Sequence, residues 1–201
     1  MKKMFIRTLL SAAILQCAAA EETLLAEWNF TKGIHSADGK IQCAARGKTK
    51  VIDGALETGE VPKEQPEGIQ TAQAYPELTP SGAFRIVVEF ELKKPTSVQP
   101  YLFFWDSKCD FYDKKNENPK DNSGFTFGLY RNPKSGELRP QAWLGFGKAT
   151  AVLNGKNVRL EPGRKYTLEL DYDGIGTAKF LLDGKINAEV KVVPGGPLAP
   201  A

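Results

Sequence analysis

One histidine and three cysteines in 201 residues leave metal and redox chemistry little to work with. His35 stands alone in a Gly-Ile-His-Ser loop, and together with Cys43 and Cys109 it lacks the spacing of zinc ligands. No stretch reaches the roughly 20 consecutive apolar residues of a membrane helix. No long basic run is present, so the electrostatic footprint of a nucleic-acid binder is missing. Helical periodicity is absent beyond the N-terminus, as are internal repeats and low-complexity linkers. The 13 prolines and 19 glycines are scattered as turn punctuation, which favours one domain over two.

What is present begins with a targeting segment. Lys2, Lys3 and Arg7 form a basic start, Leu9 to Cys17 an apolar stretch of signal length, and Ala18-Ala19-Ala20 a small-residue cleavage site before Glu21. Residues 1–20 therefore read as a signal peptide cut near Ala20, and the product as secreted or periplasmic. Lipid attachment at Cys17 is disfavoured by Gln16, which is bulky and polar where a small residue belongs. Without Lys2, Lys3 and Arg7 the 27 basic residues fall to 24, equal to the 24 acidic ones, so the basic balance belongs to the signal. Residues 21–201, in a chain 41% hydrophobic and 10% aromatic, suffice for one β domain with a core. Cys43 and Cys109 remain. A bridge closing a loop of that length would stabilise by about 4 kcal/mol in the chain-entropy picture. The sequence leaves open whether they meet.

Period-2 alternation dominates the rest. Tyr166, Leu168, Leu170 and Tyr172 alternate with polar residues, Asp173-Gly174 follows, residues 177–182 form a second strand, and Asp183-Gly184 turns into a third. Phe84, Ile86, Val88, Phe90 and Leu92 mark another strand, and Leu24, Ala26, Trp28 and Phe30 a first one. Residues 50–58 read as short strands about Asp53-Gly54, and residues 60–68 as a loop carrying Pro62 and Pro66. Tyr101 to Trp105 is aromatic on both faces, the pattern of a central strand. Strands resume at 124–131 and 138–147 after a polar loop. The sum is an antiparallel β-sandwich or closed barrel.

Ala26-Glu27-Trp28-Asn29-Phe30, Val51-Ile52-Asp53-Gly54-Ala55-Leu56, the strand at 84–92, Pro162-Gly163-Arg164-Lys165-Tyr166 and the hairpin Tyr172-Asp173-Gly174 to Leu182-Asp183-Gly184-Lys185 occur in an order that carries a resemblance. It resembles the laminin-G-like jelly-roll domains of bacterial secreted proteins, within the concanavalin A-like lectin/glucanase superfamily, over nearly all of residues 21–201. The resemblance implies an all-β antiparallel jelly roll and a carbohydrate-binding or adhesive role without catalysis. It also implies one more strand beyond Leu198, lying beside the first. Pro194, Pro197 and Pro200 make the final residues a poor strand. The expectation is thus a sandwich short of its last strand, with an open edge from Leu24 to Phe30 that pairs with a partner strand or a second copy.

Catalytic constellations are not visible. Glycosidases of this superfamily carry Glu-x-Asp-x-Glu, whereas Glu89-Phe90-Glu91 has neither the third carboxylate nor the aspartate and reads as solvated charge. A glycan-active enzyme with an unfamiliar carboxylate arrangement is the alternative reading, and an interaction domain using its sheet edge is another. His35 lacks the neighbours of a lyase site, and no serine has a nucleophile-elbow context. A binding face is easier to argue. With Leu138, Ala142 and Leu144 facing inward, Arg139, Gln141 and Trp143 face out, and Tyr130 joins them from the strand whose core residues are Phe125, Phe127 and Leu129. An indole and a phenol beside a guanidinium and an amide suit a sugar; the plainer reading packs both rings beneath a loop. The loop with Asp106, Asp110, Asp113 and Asp121 offers oxygen ligands for Ca2+, which laminin-G-like domains sometimes bind at a rim. Its interleaved Lys108, Lys114, Lys115 and Lys120 oppose this.

Overall fold

The computed structural model describes residues 5–8, 12–18, 21–59, 67–93, 101–107 and 122–200, with backbone alone for 5–8, 12–18, 21, 22 and 59. In chain order the strands are β1 (Phe5–Thr8), β2 (Ala12–Ala18), β3 (Glu21–Trp28), β4 (Cys43–Arg46) and β5 (Lys50–Ile52). Next come β6 (Ala55–Gly59), β7 (Gly68–Thr71), β8 (Ala83–Leu92), β9 (Tyr101–Asp106) and β10 (Phe125–Arg131). The last are β11 (Leu138–Gly145), β12 (Thr150–Asn154), β13 (Lys165–Tyr172), β14 (Thr177–Leu182) and β15 (Lys185–Lys191). Among the described residues the only helical turn is a 3-10 turn at Pro76–Leu78, and no helix is long and apolar enough to cross a membrane.

The protein is an all-β antiparallel sandwich. One layer contains the run β15-β14-β13-β8, and the other is β12-β11-β10-β9. Alternation in β8 places Phe84, Ile86, Val88 and Phe90 fully inside, where they meet Phe125 and Phe127 of β10 and Leu168 and Leu170 of β13. Each such side chain withdrawn from water contributes roughly 1.5–3 kcal/mol. A smaller cluster beside the sandwich gathers Trp28, Phe30, Ile41, Cys43, Leu56 and Leu78, and Trp28 meets Trp105 at 5.7 Å between ring centroids.

The turns follow their residues. Asp53-Gly54 and Asp183-Gly184 each take two positive φ angles (50° and 71° in both), the geometry of a two-residue hairpin turn. Asp173-Gly174 behaves differently. Only the glycine is left-handed, and the Asp173 carboxylate instead accepts the N–H groups of Ile175, Gly176 and Thr177 at 2.8–2.9 Å, ordering a longer loop.

Three expectations change. Tyr101–Asp106 is an edge strand among the described residues, not a central one: its inward rings enter the core while its outward rings join a surface cluster. The proline-rich tail is indeed no strand, but it acts as a strap across the end of the sandwich. Tyr172 Oη donates to the Gly196 carbonyl at 2.7 Å and accepts its N–H at 2.9 Å. Beyond Leu198, which is buried, the Ala199 N–H donates to Gly145 O, and its carbonyl accepts the Gly124 N–H. The third change concerns the expected open edge at Leu24 to Phe30. Phe30 itself lies beyond the strand, at φ 54°. β3 is paired along one edge with β2, which also pairs with residues 83–87 of β8, while β1 pairs with Glu91 and Leu92 of β8 and with β6. The N-terminal segment thus supplies backbone partners to one edge of β3 and to parts of β8, while the other edge of β3 has no strand partner among the described residues.

Candidate functional site

The outer face of the β12-β11-β10-β9 sheet holds the residues that alternation singles out. Pairing sets Tyr101 beside Tyr130 and Tyr130 beside Arg139 in one row across three strands. Phe103, Gly128, Gln141 and Asn154 form the next row, and Asp106, Thr126, Trp143 and Val152 the third. Gly128 is required in the middle. A Cβ there would collide with the Leu102 carbonyl, since β9 bulges between its partners Phe127 and Gly128 and its backbone closes in. The backbone of β9 takes the space of that side chain, and Tyr101, Phe103, Thr126 and Gln141 meet around Gly128.

Four rings surround it. Tyr101 and Phe103 lie parallel, 5.4 Å apart and 5° from coplanar in orientation. Tyr101 also meets Tyr130 at 5.2 Å and the edge of Trp143 at 5.8 Å. Trp143 faces the side that its strand position requires but is only 9% exposed, whereas Phe103 is 38% exposed. The accessible ring surface thus belongs to Phe103, Tyr101 and Tyr130, with the indole underneath. Polar groups ring the aromatics. The Arg139 guanidinium sits 4.8 Å over the Tyr130 ring, a cation–π contact, while its Nε is buried without a hydrogen-bond partner among the described residues. Gln141 Nε2 donates to Asn154 Oδ1 at 2.7 Å. Burial pushes the Tyr101 phenol above its usual range, Tyr130 adds to this and Arg139 opposes it, so the group stays a neutral donor near neutral pH.

Sequence reasoning named Trp143, Tyr130, Gln141 and Arg139 and missed Tyr101 and Phe103. The signal was there: if Leu102 is inward, its neighbours Tyr101 and Phe103 must face out. Other candidates are dispersed. Asp106 ends β9, and Asp110, Asp113 and Asp121 lie outside the described residues. Among the described residues no group of three His, Cys, Asp or Glu could hold a metal ion. Cys43 is a buried free thiol, pushed up by burial with Trp28 acting in the opposite direction, and Cys109 lies outside the described residues. His35 Nδ1 accepts the Cys43 N–H at 3.0 Å, a structural bond within the smaller cluster. Glu89 and Glu91 lie on β8, in the other layer, and Glu89 is exposed.

The chain matches no protein-family model and no curated protein. Among solved structures it is similar to the T. cruzi calreticulin globular domain, at 14% identity and a TM-score of 0.35. The alignment covers 77% of this chain and 58% of that one, so the chain spans less than two thirds of that domain.

Proposed function

We propose that the chain is exported after loss of residues 1–20 and serves as a non-enzymatic module that binds carbohydrate on its aromatic face. One observation carries the reading: the parallel, partly exposed Tyr101–Phe103 pair lies beside Gly128, next to Gln141, Asn154 and Arg139. Sugar rings present apolar C–H faces that stack on aromatic planes, and their hydroxyls pair with amides and guanidinium groups at the margin. The Arg139 guanidinium over Tyr130 and the amides of Gln141 and Asn154 supply such groups. A glycan array tests the reading, followed by titration of any bound sugar against the Phe103→Ala variant. A bound glycan whose affinity falls with Phe103→Ala supports the reading. An empty array, or an affinity unchanged by that substitution, refutes it.

A further inference from the structure

The N-terminal segment occupies a slot one strand wide. Ala12–Ala18 lies between β3 and β8 and runs antiparallel to both, so the flanking strands stand about 10 Å apart, two strand spacings. The register defines what the slot accepts. Position 16 lies opposite Phe84, position 14 between Ile86 and Ala26, and position 12 opposite Trp28, all core-facing residues at 6% exposure or less. The alternate positions lie opposite Arg85, Val87, Leu24 and Glu27, on the outer side. β3 reaches the sandwich sheet only through β2, and β6 only through β1. Leu25, the Trp28–Trp105 contact and the Lys93–Glu57 ion pair at 3.1 Å also connect these parts. Removing residues 1–20 would expose backbone donors and acceptors on two facing edges, at the strand positions of the apolar Phe84, Ile86 and Trp28.

We propose that this slot is a strand-acceptor site: in the processed protein it takes an extended, otherwise unpaired segment of a partner polypeptide, about seven residues long, with small or aliphatic residues at the positions opposite Trp28 and Ile86 and a residue up to the size of glutamine opposite Phe84. The inference rests on the proposed removal of residues 1–20 and is independent of the sugar face, which lies on the other layer. The occupant must satisfy both edges at once, so it needs N–H and C=O groups free on both sides. A sheet edge of a second copy has only one free side. Apart from β3, every strand described in residues 21–200 keeps a partner without residues 1–20, which excludes those strands of a second copy as donors, and β3 is itself one wall of the slot, so a copy that donated it would give up its own site.

The test uses the full chain carrying Ile14→Pro and Leu15→Pro, which removes strand N–H groups from both sides of the segment. Amide hydrogen exchange is read at residues 23–28 and 84–87, with residues 166–171 as a reference for the sandwich. A synthetic peptide of residues 11–19 is then added, with a copy carrying both prolines as control. The expected result is at least tenfold faster exchange at 84–87 in the variant, with protection restored by the natural peptide and not by the proline peptide. If the reference residues also lose protection, restoration by the peptide still decides in favour. Unchanged exchange in the variant, or no restoration by the peptide, overturns the proposal. A dimer of the variant without peptide, seen by light scattering, would give the slot to a second copy and also overturns it. Intact mass of exported protein separates the two readings: retention of residues 1–20 means the slot is filled in cis, whatever the glycan array shows.

Discussion

Truncating Trp143 and Phe103 to alanine should have opposite consequences, although both rings belong to the same face. Trp143 is 9% exposed and packs edge-on against Tyr101. Losing a buried indole removes its transfer energy and leaves a void that neighbours fill only in part, about 3–5 kcal/mol. For a domain of this size each kcal/mol lowers Tm by about 2–4 °C, so Trp143→Ala should melt roughly 6–20 °C early. Phe103 is 38% exposed and stacks on Tyr101 at the surface, so Phe103→Ala should change stability by only about 1 kcal/mol. It removes the most accessible ring, and a sugar stacked there should bind about tenfold more weakly, about 1.4 kcal/mol. Calorimetric melts and glycan titrations of the two variants, side by side, check both halves. A Trp143→Ala protein with an unchanged Tm would mean the indole is not covered by Tyr101. A Phe103→Ala protein with unchanged sugar affinity would mean the stacked pair is ordinary surface packing.

Four further outcomes are expected. Tyr172→Phe strands both the N–H and the carbonyl of Gly196 and should lower stability by about 1–3 kcal/mol in a denaturant titration. Gly128→Ala should lower Tm sharply, since its methyl group meets backbone rather than a movable side chain; a wild-type melt would contradict the close approach of β9. Intact mass of exported protein should correspond to a chain beginning at Glu21, without lipid on Cys17. In acid the fold should lose the contributions of Asp38 and Asp173, whereas Asp106, pushed up to about 6 by burial, adds stability as pH falls through that value. The Asp38 carboxylate is held down to about 2 by the Ser36 hydroxyl and the Lys40 N–H. Asp173, despite burial, is held below its usual range by three backbone N–H groups. Groups with depressed native pKa values stabilise fully above the unfolded value, near 3.9, and lose that contribution as pH falls towards the native one. Melts of Asp38→Asn and Asp173→Asn between pH 5 and 2 should therefore be flatter than those of the parent.

Alternation made the sandwich legible, because each strand that lines the core must bury every second residue. Phe84 through Leu92 and Phe125, Phe127 and Leu129 announce their inward faces, and each is at most 3% exposed. The same rule set Tyr130, Arg139, Gln141 and Trp143 on one outer face. It does not say what lies over a residue, which is why the sequence leaves Trp143 open between an exposed and a covered ring, and in the fold Tyr101 packs against it. β4 and β7 left no trace, since Cys43 is the sole buried residue of β4 and β7 has none. Strand order is equally invisible to a local pattern. The aromatic run at Tyr101 looks central because both its faces are apolar, yet an edge strand with rings on both sides has the same composition. Pairing of Ala12–Ala18 with the body had no signal at all, since an apolar leader is apolar for export and would look identical if it never touched a sheet.

The strap at the end of the sandwich gives the molecule a polarity. Ala199 is fastened to Gly124 and Gly145, whereas the Tyr101, Tyr130 and Arg139 row lies six residues further along β10, about 20 Å away. Anything attached downstream, whether a purification handle, a fluorophore or a surface anchor, would project from the far end and leave the ring-bearing face clear. An assay immobilised through that terminus would present the rings outward to a ligand in solution. Immobilisation through the other end of the same sheet, near Asn132 and Glu137, would press them against the support.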